Sequence, residues 1–241
     1  MTRAEPPAIG FETVTVGARF FLSSAWQSLA ATSTLTINPP NLAGITIDCA
    51  NIATYQNTHL YVTAGTLTIN SWQDGSPLTC GSSTPFTFAS VTVGANGIIT
   101  HSVSTTSISY GMDFVSTGNV TIAASGAISA EGKGYLNSRI YQNVSYTISG
   151  GGSHGGSGTA GTNATYGSVS DPNTLGAGGY QGYGGGLIRI QAANIVNLGL
   201  ISARASWNSI GSNLAGAVAA ETWVFLFSSY GSILKPDKIS H

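Results

Sequence analysis

Charged residues are the scarcest part of this sequence. Only 7% of its 241 residues are Asp, Glu, Lys or Arg, against roughly 25% in an ordinary soluble domain. Eight basic and nine acidic residues give a formal net charge of −1, which provides no positive field for nucleic acid or an anionic membrane surface. We therefore expect neither partner. Because 42% of the residues are hydrophobic, the composition is not that of a disordered chain either.

Long apolar runs are also absent. The longest candidate, residues 214–227, contains Glu221 and is shorter than the roughly 18 residues of a membrane-spanning helix, so we expect no membrane insertion. The first residues, MTRAEPPAIGFE, lack the basic start and apolar stretch of a secretory signal. They fit a mature protein given a start Met, or a protein that leaves its cell without the secretory route, as virion proteins do. We favour the second interpretation.

Short β-prone runs are abundant, and they recur. Runs rich in Val, Ile, Thr and Phe alternate with Gly, Asn and Ser clusters, which is typical of strands joined by turns. The runs form triplets of strands. The number of residues from the start of the first triplet to the start of the second equals the number from the second to the third. The last triplet follows after one such step plus an insertion. The three strands of each triplet begin, in order, at Leu60, Gly65 and Ser76; at Phe86, Ser90 and Gly97; at Met112, Asn119 and Ala127; and at Leu187, Asn194 and Leu200.

Three strands per repeat, with a period between 20 and 50 residues, predict a solenoid. We expect an all-β fold, a right-handed parallel β-helix of about six coils with a Gly-rich loop insertion. A β-sandwich is the alternative, since it too has short strands with frequent turns, but it has no reason to keep a fixed threefold spacing. The predicted organisation is an N-terminal cap or attachment segment at 1–33, coils at 34–134, the insertion at 135–186, and terminal coils with a C-terminal tail at 187–241.

The chain has only two cysteines. Ile37 and Ile69 each belong to a run with the sequence Leu-Thr-Ile-Asn, and Cys49 follows Ile37 at almost the same spacing at which Cys80 follows Ile69. If these two runs stack on each other, the cysteines come within disulfide range. Two stacked, buried thiols are an equally open interpretation. Without a CxxC pair or an adjacent His, we expect no metal site.

Residues 149–186 are rich in glycine but do not have the composition of a flexible linker. They include His154, Tyr166 and Pro172 and run directly into a strong strand, so we expect a packed loop in which glycine allows close backbone approach. No Lys or following helix supports a phosphate-binding loop. For His154, a ligand or hydrogen-bonding role and simple ring packing both stay open.

The order GGGSHGG, TYGS, GAGG and GGGLIRIQAANIVNLGLISARA, over Gly150 to Ala205, resembles Gly-rich parallel β-helix proteins of phage tails, the tail spikes and fibres, and of bacterial surface adhesins. The similarity covers roughly a quarter of the chain. Where such proteins continue with another glycine run, residues 216–220 here are mostly alanine, which suggests a tighter or terminal coil. The resemblance implies a structural or adhesive role and carries no catalytic motif.

Parallel β-helices also include polysaccharide hydrolases and lyases, whose chemistry depends on paired carboxylates. A glycosidase needs two carboxylates about 5 to 9.5 Å apart across a groove. The best pair to test is Asp113 with Glu131, which we expect at different corners of one coil. We therefore predict a protein without catalytic residues or cofactor.

Tyr180, Tyr183 and Trp207 are the candidates for contact with a glycan or receptor. Their rings combine apolar area with a polar tip and could stack on sugars. The competing interpretation is that they only cover the end of a coil.

Together these features predict a non-enzymatic virion structural protein, a phage tail spike, tail fibre or similar receptor-contacting appendage on the virion tail. Its expected partners are copies of itself, as a homotrimer, other virion proteins and a host surface glycan. A secreted cell-surface adhesin or a self-assembling extracellular filament subunit is the alternative, and a polysaccharide-degrading tailspike is the third hypothesis. The segment up to Ser33 and the tail from Ile233 are expected to cover the ends of the stack or attach it to a particle.

Overall fold

The computed structural model describes residues 13–15, 34–36, 41–80, 85–141, 144–145, 152–154, 165–168, 173–180, 182–207 and 224–228. The chain divides into two compact units, residues 1–41 and 42–241. Within these described residues the fold is all-β: 19 strands are accompanied by one helix of four residues.

The elements are, in chain order, β1 (Thr13–Thr15), β2 (Thr34–Thr36), β3 (Thr46–Ile47), α1 (Ile52–Tyr55), β4 (His59–Val62), β5 (Gly65–Ile69), β6 (Trp72–Gln73), β7 (Ser76–Pro77), β8 (Thr87–Phe88), β9 (Ser90–Val93), β10 (Gly97–Thr100), β11 (Tyr110–Ile122), β12 (Ala127–Ser129), β13 (Arg139–Ile140), β14 (Val144–Ser145), β15 (Gly182–Tyr183), β16 (Ile188–Asn197), β17 (Leu200–Ser202), β18 (Ser206–Trp207) and β19 (Val224–Ser228).

In the first unit, β1 and β2 pair in parallel, with Thr13 opposite Thr34. In the second unit, five strands form an entirely parallel sheet in the order β17-β12-β10-β5-β3. Its core face carries one aligned row of large aliphatic residues, Leu67, Ile99, Ile128 and Ile201. The first three are fully buried. Burial of this row stabilises the sheet, because apolar area is removed from water at every strand.

A second sheet of eight strands is mixed. Its parallel part aligns β4, β9, the second half of β11 and the second half of β16, so that Leu60, Val91, Val120 and Ile195 form one row. The first half of β11 pairs in parallel with β8 and β16, and β16 pairs in parallel with β19. Antiparallel pairs join β6 to β11 and to β7. Two further antiparallel pairs, β13-β14 and β15-β18, form separate sheets.

The predicted step between the first two repeats is wrong. Leu60 lies opposite Val91 instead of Phe86, so the observed step is longer than the predicted one. Gly65 likewise lies opposite Gly97. The next step, from Val91 to Val120, contains fewer residues than the step from Leu60 to Val91. The reason is that the connections after β5 and β10 differ in length, while apolar alternation looks the same in every strand and does not say which strands pair.

The later repeats pair in the predicted order. Asn119 lies opposite Asn194, and Ala127 lies opposite Leu200. The first strand of this repeat is shifted by one position, since Met112 lies opposite Ile188 and not Leu187. Strand β19, in the region predicted to hold the terminal coils, pairs in parallel with β16.

The described part of the glycine-rich insertion is packed, as predicted. Its backbone is bonded across the loop, with Gly134 N–H donating to Gly184 C=O at 2.7 Å and Gly184 N–H donating to Tyr135 C=O at 2.9 Å. A Cβ atom at Gly178 would collide with the carbonyl oxygen of Leu136, so this position requires glycine for close backbone approach. A second hydrophobic cluster holds the loop and consists of Trp72, Tyr135, Leu175 and Leu187, with Tyr166 packed against it.

Candidate functional site

Asp113 lies in the larger sheet, directly opposite Arg189 of the neighbouring strand. A guanidinium nitrogen of Arg189, Nη1, is 3.5 Å from Oδ2 of Asp113, and both side chains are largely buried. The Asp113 backbone N–H donates to Ser71 Oγ at 2.8 Å. Asp113 therefore sits in an ion pair between two parallel strands, where cross-strand opposite charges stabilise pairing.

Glu131 follows β12 of the five-stranded sheet, so the two candidate carboxylates belong to different sheets. Its Oε1 accepts hydrogen bonds from Ser202 Oγ at 2.6 Å, Arg204 Nε at 2.8 Å and Arg204 Nη2 at 2.6 Å. The hydrogen bond from Ser202 is the main cause that lowers the pKa of Glu131, and Arg204 acts in the same direction while burial opposes it. A carboxylate held ionised in this way is poorly suited to donate a proton as a general acid.

Cys49 and Cys80 form a disulfide with a Cα–Cα distance of 5.0 Å. The alignment that suggested the pair is wrong, because β5 pairs with β3, with Thr46 opposite Thr68, while β2 pairs with β1. The cysteines instead lie in the segments that leave β3 and β7. Among the described residues there is no group of three His, Cys, Asp or Glu side chains that could hold a metal ion.

The backbones of the candidate residues Tyr183 and Trp207 are brought together by the antiparallel pairing of β15 with β18. These strands place Trp207 opposite Gly182 and Tyr183 opposite Ser206. Tyr180, just before β15, is 45% exposed, and Tyr183 is half-buried. The backbones of Tyr183 and Trp207, which are far apart in the sequence, are thus neighbours at one edge of the insertion. We call this edge, with Tyr180, Gly182, Tyr183, Ser206 and Trp207, the rim.

The Glu131–Arg204 ion pair adjoins this rim. Gly132 N–H donates to Arg204 C=O at 2.9 Å, and a Cβ at Gly132 would collide with the side chain of Ser206. Within the described residues, Tyr180 and Tyr183 therefore lie near the Glu131–Arg204 ion pair. Such a combination of apolar ring area and polar groups is suited to contact with a sugar.

His101 is a buried residue whose role sequence reasoning missed. Its side chain is fully buried, Nδ1 is 2.8 Å from Ser102 C=O, and Nε2 lies 3.3 Å from the N–H of Leu187. Because a carbonyl can only accept and an N–H can only donate, these contacts assign the proton to Nδ1. Burial is the main cause that lowers the pKa of His101 to about 4. The neutral ring joins the end of the insertion to β10.

His154 packs inside the insertion. Its ring meets Tyr166 edge to face with centroids 4.9 Å apart, and Nε2 lies 3.1 Å from Thr174 Oγ1. Both His154 and Thr174 are buried. These two contacts join His154 to other residues of the insertion.

Comparison with protein-family models, with curated proteins and with solved structures found no match. The resemblance to Gly-rich β-helix proteins therefore stays a prediction from the residues. In the part of the chain that the structure describes, no helix is long and apolar enough to cross a membrane.

Proposed function

We propose that this protein is a non-enzymatic structural protein of a virion, a short tail spike, tail fibre or similar appendage that contacts a receptor. The observation that carries the proposal is the parallel, aligned pairing of repeated strands, from β4 through β9 and β11 to β16. Repeats that pair in this way form stiff arrays, because each repeat contacts only its neighbours. That mechanical character suits an appendage.

The finer fold that we propose is a right-handed parallel β-helix. Two parallel ladders support it, since strands of consecutive repeats align in both sheets. In such a β-helix, the segments that follow β5, β10 and β12 are loops that leave successive coils at the same corner. The antiparallel pairs β6-β7 and β13-β14 lie within these loops.

The proposal assigns no catalytic residue. It is supported by the partners of the best carboxylate pair, because Asp113 is bound to Arg189 and Glu131 to Arg204. A hydrolase would need these two groups across a shared groove. As a test of the third hypothesis, the purified chain is incubated with host glycan. Release of reducing sugar or unsaturated product, lost in Asp113→Asn or Glu131→Gln, would establish a polysaccharide-degrading spike instead.

The partners that we propose are copies of the chain in a homotrimer, other virion proteins and a host surface glycan. The rim with Tyr180, Tyr183 and Trp207 is the proposed contact for that glycan. Low charge favours burial of lateral faces against identical copies, because few charged groups must be desolvated there.

A secreted adhesin or filament subunit is the second candidate. The Cys49–Cys80 disulfide is compatible with it, because disulfides persist in oxidising, extracellular surroundings and are rare in the cytosol. A virion surface is exposed to the same conditions, so the disulfide fits both candidates.

Immunogold electron microscopy separates the two. Antibodies raised against the purified chain are applied to a culture of the source organism, with pre-immune serum as the control. Gold at the tails of virus particles is the expected result. Gold on cell surfaces or on filaments, with unlabelled particles, would replace the proposal by the adhesin or filament alternative.

A further inference from the structure

An exposed aromatic ring lies where the glycine-rich insertion meets the hairpin of β6 and β7. Tyr141 is 38% exposed, and its ring lies on that of the half-buried Tyr166, with centroids 6.0 Å apart and planes inclined by 31°. Tyr166 is itself fixed, because its ring meets His154 edge to face and its hydroxyl donates to Leu175 C=O at 2.9 Å. Tyr141 therefore presents a ring to solvent on a packed support.

The tip of the β6–β7 hairpin lies beside this ring. The two strands are joined by two residues, Asp74 and Gly75, whose φ angles are 47° and 103°. Two positive φ angles are what a type I′ turn requires, and Asp-Gly is a favoured sequence for it. A Cβ atom at Gly75 would lie 3.7 Å from the hydroxyl of Tyr141. The turn therefore places Asp74 next to a residue that borders the exposed ring.

The carboxylate of Asp74 is held in one orientation although the residue is exposed. Its Oδ1 accepts the N–H of Ser109 at 2.7 Å, and its Oδ2 accepts a hydrogen bond from Gln73 Nε2 at 3.2 Å. The ion pairs among the described residues do not include Asp74. A carboxylate accepts about four hydrogen bonds, so Asp74 can accept further ones from hydroxyl groups of a ligand.

We call this surface the Tyr141 face and define it by Gln73, Asp74, Gly75, Tyr141 and Tyr166. A sugar ring offers an apolar C–H face that packs on an aromatic ring, and its hydroxyl groups donate to a fixed acceptor at the edge. An acidic sugar would place a second negative charge beside Asp74, which is unfavourable. We propose that the Tyr141 face binds a neutral saccharide, with the sugar ring on Tyr141 and hydroxyl groups donating to Asp74.

The proposal rests on the glycan contact of the proposed function and gives that contact a second place, made of residues other than those of the rim. It holds for a virion appendage and for a cell-surface adhesin alike. Because Tyr141 and Tyr180 belong to different surfaces, a measurement that reports on each tyrosine separately distinguishes the Tyr141 face from the rim.

Nitration of the natural full chain by tetranitromethane is such a measurement. The probes are neutral trisaccharides of glucose, galactose, mannose and N-acetylglucosamine, with trigalacturonate as the acidic probe. Mass spectrometry follows the peptides that contain Tyr141 and Tyr180. A neutral probe at about ten times its Kd should slow nitration of Tyr141 about tenfold, because about one site in ten is then unoccupied. Trigalacturonate should leave the rate unchanged.

Asp74→Asn tests the acceptor without removing the ring. Asn also adopts positive φ angles, so the turn should be kept, and circular dichroism checks the fold. The variant should bind the protecting trisaccharide about tenfold more weakly, because hydrogen bonds to an ionised acceptor are the stronger ones. The matched control is Asp48→Asn, at a carboxylate whose Oδ1 accepts the N–H of Ala50 at 2.8 Å. It should bind like the natural chain.

Four results would overturn the proposal. Nitration of Tyr141 at the same rate with and without every neutral probe would remove the site, whether or not Tyr180 is protected. Protection of Tyr180 alone would keep the glycan contact at the rim, whereas protection of neither tyrosine would remove both contacts. Protection of Tyr141 by trigalacturonate alone would contradict a neutral ligand. Unchanged affinity in Asp74→Asn would contradict the role given to the carboxylate.

Discussion

His101 shows how a single uncharged side chain holds a long insertion in place. Its ring accepts the N–H of Leu187, 86 residues further along the chain, at the point where the insertion re-enters the sheet. Gly186 lies so close to the ring that a Cβ there would collide with Nε2. A protonated ring could not accept this hydrogen bond, because both of its nitrogens would then donate.

We predict that His101 makes the protein sensitive to acid. Its pKa is about 4 in the folded chain against an ordinary value of 6.5, so the unfolded chain takes up the proton first as the pH falls. The free energy of unfolding should therefore drop by about 3 kcal/mol between pH 6.5 and pH 4 from this group alone. Lys133 contributes in the same direction, since its charge also disfavours a protonated ring.

Urea unfolding of His101→Gln at several pH values checks this prediction. The variant should be less stable at neutral pH but show a flatter dependence on pH between 6.5 and 4. The matched control is His59→Gln, at an exposed histidine whose Nδ1 lies 2.7 Å from Ser90 Oγ. An unchanged slope in His101→Gln would contradict the role given to His101.

Residue-scale features are accessible from the sequence only in part. The sequence allows the two cysteines to be paired, although through a wrong alignment, and it indicates Asp113 and Glu131 as the carboxylates to test. The predicted alignment of Ala127 with Leu200 puts Arg204 level with Glu131, its observed partner. It does not indicate Arg189 as the partner of Asp113, because the first strand of this repeat is shifted by one position, so that the prediction aligns Asp113 with Ile188 instead.

At the scale of elements, the rows of core residues across successive strands are what the fold depends on. Val120 is fully buried between Val91 and Ile195. Its neighbour Thr121 points to the other face of the same strand, between Thr92 and Val196. Successive side chains of β11 therefore point alternately to the core and to the surface.

We predict that Val120→Asp prevents soluble folding, because it places an unpaired charge in the core row at a cost of several kcal/mol. Thr121→Asp introduces the same charge at the adjacent position and should leave the fold intact. Soluble expression and circular dichroism measure both outcomes. A soluble Val120→Asp with an unchanged spectrum would show that the assignment of faces is wrong.

The disulfide joins two connecting segments 31 residues apart. We predict that Cys49→Ser/Cys80→Ser lowers the free energy of unfolding by about 3 to 4 kcal/mol, through the larger entropy of the unfolded chain. Denaturant unfolding with and without a reducing agent measures the loss. Reductant should destabilise the natural chain and leave the double variant unchanged; a natural chain that is indifferent to reductant would contradict the prediction.

Element order is predictable from the sequence, but spacing is not. Runs of Val, Ile and Thr reveal strands because their side chains suit a half-buried pleated surface. The predicted order of the strands in the later repeats is therefore correct. The spacing of the first repeats is not predictable, because connections such as residues 70–85 differ in length from one repeat to the next, and apolar alternation within the strands does not specify that length.

At the scale of the whole molecule, low charge is the property with the widest consequence. Burying a surface with few charged groups costs little desolvation free energy, because few charges must be removed from water. On the outer face of the five-stranded sheet, the exposed Ile98 and Leu200 and the half-buried Ala127 between them form an aligned, uncharged row. Lateral association with identical copies along this row leaves no charge unpaired. This is the basis for a homotrimer in the proposed function.

The mass of the purified full chain in solution tests this account most directly. Light scattering should give a discrete species of three times the chain mass of 24.5 kDa, and electron micrographs of the same sample should show short particles of uniform length. A monomer at all concentrations would contradict the proposed trimeric appendage. Open-ended filaments would contradict it as well and would identify the chain as a self-assembling surface fibre.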